Sequence, residues 1–68
     1  MMSGYIVRRG QEYLARKNCK STYSDENGWC WSAEVQAART YDDLYHATMA
    51  ARRVGGTVKL VMEGRVLE

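Results

Sequence analysis

The sequence contains few of the residues from which metal sites and disulfide scaffolds are built. Its 68 residues include two cysteines, Cys19 and Cys30, and a single histidine, His46. Two cysteines are too few for a disulfide framework, and together with one histidine they match no zinc spacing. A bridge between Cys19 and Cys30 could close the intervening loop in an oxidising solution, whereas a reducing cytosol favours two free thiols. No metal or cofactor is expected.

The chain also lacks a long apolar segment and a strong net charge. Nothing in it predicts a transmembrane helix or a signal peptide, so the cytoplasm is the expected compartment. The formal net charge is +2, but residues 1–20 are mainly basic and residues 21–48 mainly acidic. This split can orient the molecule on a charged partner, or the two segments can neutralise each other in the fold.

The length of the chain limits its core. A chain of about 60 to 70 residues buries only roughly 60% of its unfolded surface. We expect residues 1–68 to form a single domain, to which a homodimer or another tight partner would add stability.

The strongest local signal is a helix followed by a strand, between residues 40 and 61. Asp42 and Asp43 can accept hydrogen bonds from the free N–H groups of the first helical turn, with Thr40 as an alternative start. Gly55 suits the left-handed position that ends a helix. One face of this helix carries mostly small residues at helical spacing, namely Leu44, Ala47, Ala50, Ala51 and Val54, which predicts close packing against a neighbouring element.

The strand after the helix spans residues 57–62. Its alternation places Val58, Leu60 and Met62 toward the helix and Lys59 toward water. A short edge strand is expected to follow the next turn.

The N-terminal half is predicted to be β-structure. Residues 5–9 and 12–16 have strand composition and flank a Gly-Gln turn, which predicts a hairpin. Residues 18–28 are polar without apolar periodicity and are expected to form the longest loop. Residues 29–31 predict a short strand with both indoles on one side.

The segment between residues 32 and 54 contains neither glycine nor proline. It is therefore compatible with one long helix or with two shorter helical segments. Ser32 can cap a helical turn that points Val35 and Ala38 inward. We favour a break near Thr40 because the Thr-Tyr-Asp-Asp sequence is a helix start signal. The predicted fold is therefore α+β, a small antiparallel sheet with one main helix packed on one face.

Four features follow one another over nearly the whole chain: a strand pair, the element Trp29–Ser32, Tyr41 before the helix and the closing sequence Gly55-Gly56-Thr57-Val58. In this order they resemble a family of very short open reading frames in bacteriophages and prophages. The resemblance implies a small α+β protein in a bacterial host cell, and its motif is structural. The longer polar loop and the extra Trp31 depart from it, and no functional residue is carried over.

By its class, a phage-type protein of this size is most often an accessory factor that binds a host or defence protein without catalysis. Anti-CRISPR and related anti-defence proteins do this by occluding a surface. A second helix face fits such a role, because tyrosine, methionine and arginine are enriched in interfaces. The predicted partner-binding residues are Tyr45, Met49, Arg52, Arg53 and Trp31; the alternative is an ordinary solvated helix face.

Nucleic-acid binding is the competing function. Its candidate residues are the cations of the N-terminal segment, Arg8, Arg9, Arg16, Lys17 and Lys20, with tyrosines and tryptophans in the same half of the chain. The small net charge argues against it. An enzyme is not expected, because His46 has acidic neighbours but no nucleophile or oxyanion site, and Ser21, Ser24 and Cys30 stand in no catalytic motif.

Overall fold

The computed structural model describes residues 2–17 and 21–67 of the chain. These residues form one antiparallel sheet of six strands and one α-helix, which confirms the predicted α+β class. The strands are β1 (Gly4–Arg9), β2 (Glu12–Leu14), β3 (Tyr23–Ser24), β4 (Cys30–Ser32), β5 (Thr57–Met62) and β6 (Arg65–Leu67), and the helix is α1 (Leu44–Val54). A 3-10 turn, Val35–Ala37, lies between β4 and α1. Within the described residues, no helix is both long and apolar enough to cross a bilayer.

The strands lie in the order β3-β4-β2-β1-β5-β6. Strand β1 pairs with β2 as the predicted hairpin and with β5 on its other side, where Val7 lies opposite Val58. The predicted edge strand is confirmed as β6. It is joined to β5 by Glu63 and Gly64, whose φ angles of 51° and 76° are both positive, as the tightest hairpin turns require.

The N-terminus of α1 is set by a carboxylate cap. The side chain of Asp43 accepts a hydrogen bond from the backbone N–H of His46 at 3.2 Å, which satisfies one of the free donors of the first turn. The predicted break before the helix is confirmed. The helix starts at Leu44 rather than at Thr40, because Tyr41 is held in a β-bridge to strand β1.

Two glycines end the helix and return the chain to the sheet. Gly55 has a left-handed backbone, with φ of 72°, and its N–H donates to the carbonyl of Ala51, as predicted. Gly56 lies close against β1. A Cβ atom on it would come within 2.8 Å of Cγ1 of Val7 and 2.9 Å of the carbonyl oxygen of Arg8.

One face of the sheet packs against α1. Ala47 is fully buried, and the alanine stripe lies against the sheet as predicted. The shared cluster consists of Val7, Leu14 and Trp31 from the strands and Ala50, Ala51 and Val54 from the helix, with Trp29, Tyr41 and Val58 packed against it. Leu44 was predicted to belong to this stripe but is 54% exposed, because the buried part of the helix begins one turn later.

The opposite face of the sheet is also covered, although the predicted architecture has packing on one face only. Ile6 directly precedes Val7 in β1, so the two side chains point to opposite faces. Ile6 packs with Ala38 and Val61, and Val35 packs against this second cluster. The inward positions predicted for Val35 and Ala38 are confirmed. The region of the 3-10 turn covers the face of the sheet opposite α1.

Strand β5 differs in part from its prediction. Val58 packs with the helix cluster, but Leu60 is 37% and Met62 52% exposed. The predicted alternation is present, yet the helix covers only the beginning of the strand. Lys59 is half-buried rather than open to water, and Val61 beside it is fully buried on the other face.

The polar segment at residues 18–28 is not all loop. Tyr23 and Ser24 form β3, with Tyr23 opposite Trp31 of β4. A polar strand of two residues has no apolar alternation, so nothing in the sequence predicts it. Residues 18–20 lie outside the described part of the chain.

Candidate partner-binding groove

The predicted helix face is on the outside of α1. Tyr45 is 68% exposed, Arg52 and Arg53 are exposed and Met49 is half-buried. The helical spacing of these residues places them on the side of α1 that faces away from most of the alanine stripe. The predicted exposure is therefore confirmed for Tyr45, Arg52 and Arg53 and only in part for Met49.

A groove of about 300 Å³ runs beside this helix. One wall comes from α1 and the other from the loops before it; the main lining residues are Tyr45, Met49 and Arg53 on the helix and Trp29, Arg39 and Tyr41 opposite. Arg52 does not line it. The structure thus brings three of the predicted residues to one concave surface and adds three that were not predicted.

The loop wall is fixed to the sheet by backbone hydrogen bonds. The N–H of Arg39 donates to the carbonyl of Leu14 at 2.8 Å, and Tyr41 exchanges two bonds with Tyr5, at 2.9 and 2.8 Å. Because Leu14 belongs to β2 and Tyr5 to β1, the wall is attached to the centre of the fold. The groove is therefore a preformed feature.

A second hollow of about 250 Å³ adjoins the groove. The two share Trp29 and Arg39, and the second hollow is also lined by Lys17, Asn27 and Gly28. We refer to the groove and this hollow together as the trough. Trp29 and Arg39 mark its middle, with Arg53 toward one end and Lys17 toward the other.

The charges along the trough are of one sign. Arg53, Arg39 and Lys17 line it, and none of the described residues that line either part is Asp or Glu. The guanidinium of Arg39 lies 5.8 Å from the ring centroid of Tyr41, within the range of a cation–π contact. The surface combines fixed aromatic rings with exposed cations.

His46 lies at the groove beside Tyr45. Its Nδ1 atom is 2.6 Å from Oδ1 of Asp43, and its ring meets that of Tyr45 edge to face, with centroids 5.4 Å apart. The hydrogen bond from the His46 side chain is the main reason that the pKa of Asp43 lies below its ordinary value. The same carboxylate therefore caps α1 and orients the imidazole.

Trp31 does not belong to this surface, and its assignment as a partner-binding residue is wrong. Its side chain is fully buried. The indole N–H donates to Oδ2 of Asp25 at 2.8 Å, and the guanidinium of Arg9 lies 3.9 Å from the ring centroid. That indole hydrogen bond is the largest contribution that lowers the pKa of Asp25, helped by backbone N–H donors from Trp29 and Asn27. Trp31 is a core residue.

The cations predicted to bind nucleic acid are spread over the fold. Arg8 and Arg9 are consecutive in β1 and point to opposite faces; Nε of Arg8 donates to the carbonyl of Gly10 at 3.1 Å. Arg16 donates to the carbonyl of Gln36 at 2.9 Å. Lys17 lines the trough, and Lys20 lies outside the described residues. The structure does not bring the four described cations together on one surface.

The described residues contain no group of three or more His, Cys, Asp or Glu side chains placed to hold a metal ion. Cys30 carries a free, buried thiol, whose sulfur lies 3.6 Å from Oγ of Ser24. Cys19 lies outside the described residues.

Sequence reasoning missed Arg39, gave Tyr41 a structural role only, and considered Trp29 as a structural aromatic or as a stacking residue for nucleic acid. These three residues share no helical or strand periodicity, because they come from irregular segments on either side of the 3-10 turn. The sequence feature that could have indicated Arg39 and Tyr41 as binding residues is their composition, an arginine and an aromatic residue two positions apart directly before a helix start. Only the fold shows that Trp29 joins them.

No protein-family model, no curated protein and no solved structure matches this chain. The resemblance to short phage and prophage reading frames therefore stays a prediction from the sequence.

Proposed function

We propose that this chain is a non-catalytic binding protein of the phage accessory type. In this proposal it acts in the cytoplasm of a bacterial host cell, where it attaches to a larger host or defence protein and inhibits or modulates it. Anti-CRISPR and other anti-defence proteins act in this way.

The groove beside α1 is the observation that carries the proposal. It combines a tyrosine, a methionine and an arginine from the predicted helix face with Trp29, Arg39 and Tyr41, and these residue types dominate the energetic centres of protein interfaces. The backbone of Arg39 and Tyr41 is held by the sheet and the helical residues belong to α1, so little ordering is required when a partner binds. A concave surface of these residue types is suited to contact with a protein.

The test is affinity capture from a bacterial lysate with the tagged chain, followed by identification of the retained protein. Replacing Tyr45 and Arg53 together by alanine is expected to weaken retention by about 2 kcal/mol or more, because anchor residues carry most of the binding energy. The melting temperature should change little, since both side chains are exposed.

The matched control replaces Leu44 and Arg65 by alanine. This pair also removes one exposed arginine and one exposed apolar side chain, but neither residue lines the groove. Equal loss of retention in the two double variants would contradict the proposal. So would a wild-type chain that retains only nucleic acid, with retention that falls steeply as salt is added.

A further inference from the structure

We infer that the trough receives an acidic segment of the partner protein, with carboxylates that meet Arg53, Arg39 and Lys17 and apolar side chains that enter the two hollows. This inference rests on the proposed function and deepens it, because it names the chemistry of the partner. Two adjacent hollows that share Trp29 and Arg39 define the site, and the charged residues among their described lining are cations.

Charge complementarity is the first reason. The chain has 8 acidic and 10 basic residues, so an average patch of its surface would carry both signs. Among the described residues that line the trough, however, all the formal charges are positive. Like-charged side chains grouped in a concavity strengthen the local field and attract the opposite charge. An anionic occupant is therefore favoured over a neutral or a cationic one.

The size of the hollows indicates side chains of a segment rather than a folded lobe. Their volumes are about 300 and 250 Å³, at and just below the lower limit of the range of about 300 to 1,000 Å³ typical of ligand pockets. Leu14 and Cys30 are among the residues that line the smaller hollow, and Met49 and Ala50 are among those that line the larger one. Each hollow can hold an aliphatic side chain from a segment that crosses both.

The aromatic rings favour a protein segment over a single strand of nucleic acid, the other polyanion that such a surface could attract. Base stacking needs an open ring face. In the trough, Tyr41 has the guanidinium of Arg39 beside its ring, and Trp29 packs against the buried helix cluster. Tyr45 meets His46 edge to face and is 68% exposed, so it is the ring of these three that offers an open face. One open ring is fewer than the succession of ring faces on which a single strand stacks its bases.

The experiment is fluorescence anisotropy with a labelled, glutamate-rich peptide interrupted by single leucines, long enough to span both hollows. A lysine-rich peptide with the same leucines and a deoxythymidine oligonucleotide are the comparison probes. The full chain is expected to bind the glutamate peptide in preference to both, with affinity that falls as salt is raised.

Charge reversal tests the place of binding. Arg39→Glu with Arg53→Glu is expected to weaken binding of the glutamate peptide at least about tenfold. The control, Arg52→Glu with Arg65→Glu, makes the same change in net charge outside the trough and should have little effect. Because Arg39 also contacts Tyr41, Lys17→Glu is a second variant that leaves that contact in place, and it is expected to weaken binding several-fold.

Three results would overturn the inference: equal affinity for the glutamate and lysine peptides, equal loss in the two double variants, or tighter binding of the oligonucleotide. If any of these occurs while lysate capture still depends on Tyr45 and Arg53, the proposed function stands and only the partner chemistry is wrong. If the peptide binds in the trough but the lysate yields no partner protein, the proposed function fails instead.

Discussion

The guanidinium of Arg9 lies 3.9 Å from the ring centroid of Trp31. The same side chain donates a hydrogen bond to the carbonyl of Val54 at 3.0 Å and lies 3.8 Å from the carboxylate of Asp25. Arg9 therefore connects the central strand, the buried indole, the last turn of α1 and the turn before β4. Arg9 was predicted to bind nucleic acid; in the structure its partly exposed side chain makes contacts that hold the fold together.

Arg9→Ala is expected to lower the free energy of unfolding by about 1 to 2 kcal/mol, since it removes a cation–π contact and a hydrogen bond to a helix carbonyl. Chemical denaturation followed by tryptophan fluorescence measures this. Arg65→Ala is the control, because Arg65 is an exposed arginine at the sheet edge. If Arg9→Ala unfolds together with the control, the contact to Trp31 has no measurable effect on stability.

The stability of the fold should decrease in acid through Asp25. Its pKa in the folded state lies below its ordinary value, chiefly because of the hydrogen bond from Trp31, so the stabilisation is complete above the unfolded pKa of about 3.9. It is lost as the pH falls below that value toward the folded pKa.

Asp25→Asn removes this dependence. The difference in stability between wild type and variant, measured by denaturant titration, should be present at neutral pH and shrink below about pH 4. Glu26→Gln, an exposed carboxyl in the same turn, should follow the wild type. A difference for Asp25→Asn that is constant across this range would show that the charge of the carboxylate has no part in the effect.

The sequence predicts the local elements of this fold well. The cap at Asp43, the stop at Gly55, the N-terminal hairpin and the edge strand β6 all depend on a few neighbouring residues, and local rules describe such features. What it does not predict depends on distant pairing. The exposure of Leu44 and the face of the sheet on which Val35 and Ala38 pack follow from the position of each element over the sheet.

The candidate site likewise contains residues that the local sequence predicts and residues that only the fold brings together. The helix face with Tyr45, Met49 and Arg53 follows from helical spacing, which is a local property. Trp29 and Arg39 reach the groove only because their segments are joined to the sheet, and no period in the sequence connects them to α1. Trp31 was predicted to lie on the binding surface but is buried. A tryptophan in a short strand can be exposed or can form the centre of the core, and the local sequence does not distinguish the two.

The alanine face of α1 should tolerate no larger side chain. Ala47→Leu or Ala51→Leu is expected to cost about 1 to 3 kcal/mol, because both positions are buried against the sheet and extra methylene groups overpack such a contact. Thermal melts measure the loss. Arg52→Leu places the same side chain on the exposed side of the helix and is the control. If Ala47→Leu melts no earlier than this control, the packing at α1 is looser than its burial indicates.

Gly56 should be intolerant of a side chain for a steric reason. In Gly56→Ala the new Cβ would meet Val7 and the backbone of Arg8 at less than 3.0 Å, so β1 must shift, at an expected cost of about 1 to 3 kcal/mol. In the companion variant Gly55→Ala, the Cβ has open space but the backbone is left-handed, which costs about 1 to 2 kcal/mol. Two-dimensional NMR spectra distinguish the two: shifts in β1 are expected for Gly56→Ala only, and their absence would contradict the steric explanation.

A homodimer remains a prediction, and the structure indicates which residues would form it. Leu60 and Leu67 lie opposite each other in β5 and β6 and, with Met62, leave an exposed apolar strip beside an edge strand. Edge strands with apolar neighbours tend to pair with a second copy. We expect a dimer at micromolar concentration by light scattering.

Met62→Lys with Leu67→Lys is expected to give a monomer, because charges on an edge strand prevent pairing. Leu44→Lys, which alters an exposed leucine on the helix, should leave the dimer intact. A wild-type chain that is monomeric at every concentration would contradict the dimer itself. Loss of the dimer in Leu44→Lys would instead move the contact to the helix side, where it would compete with a partner in the groove.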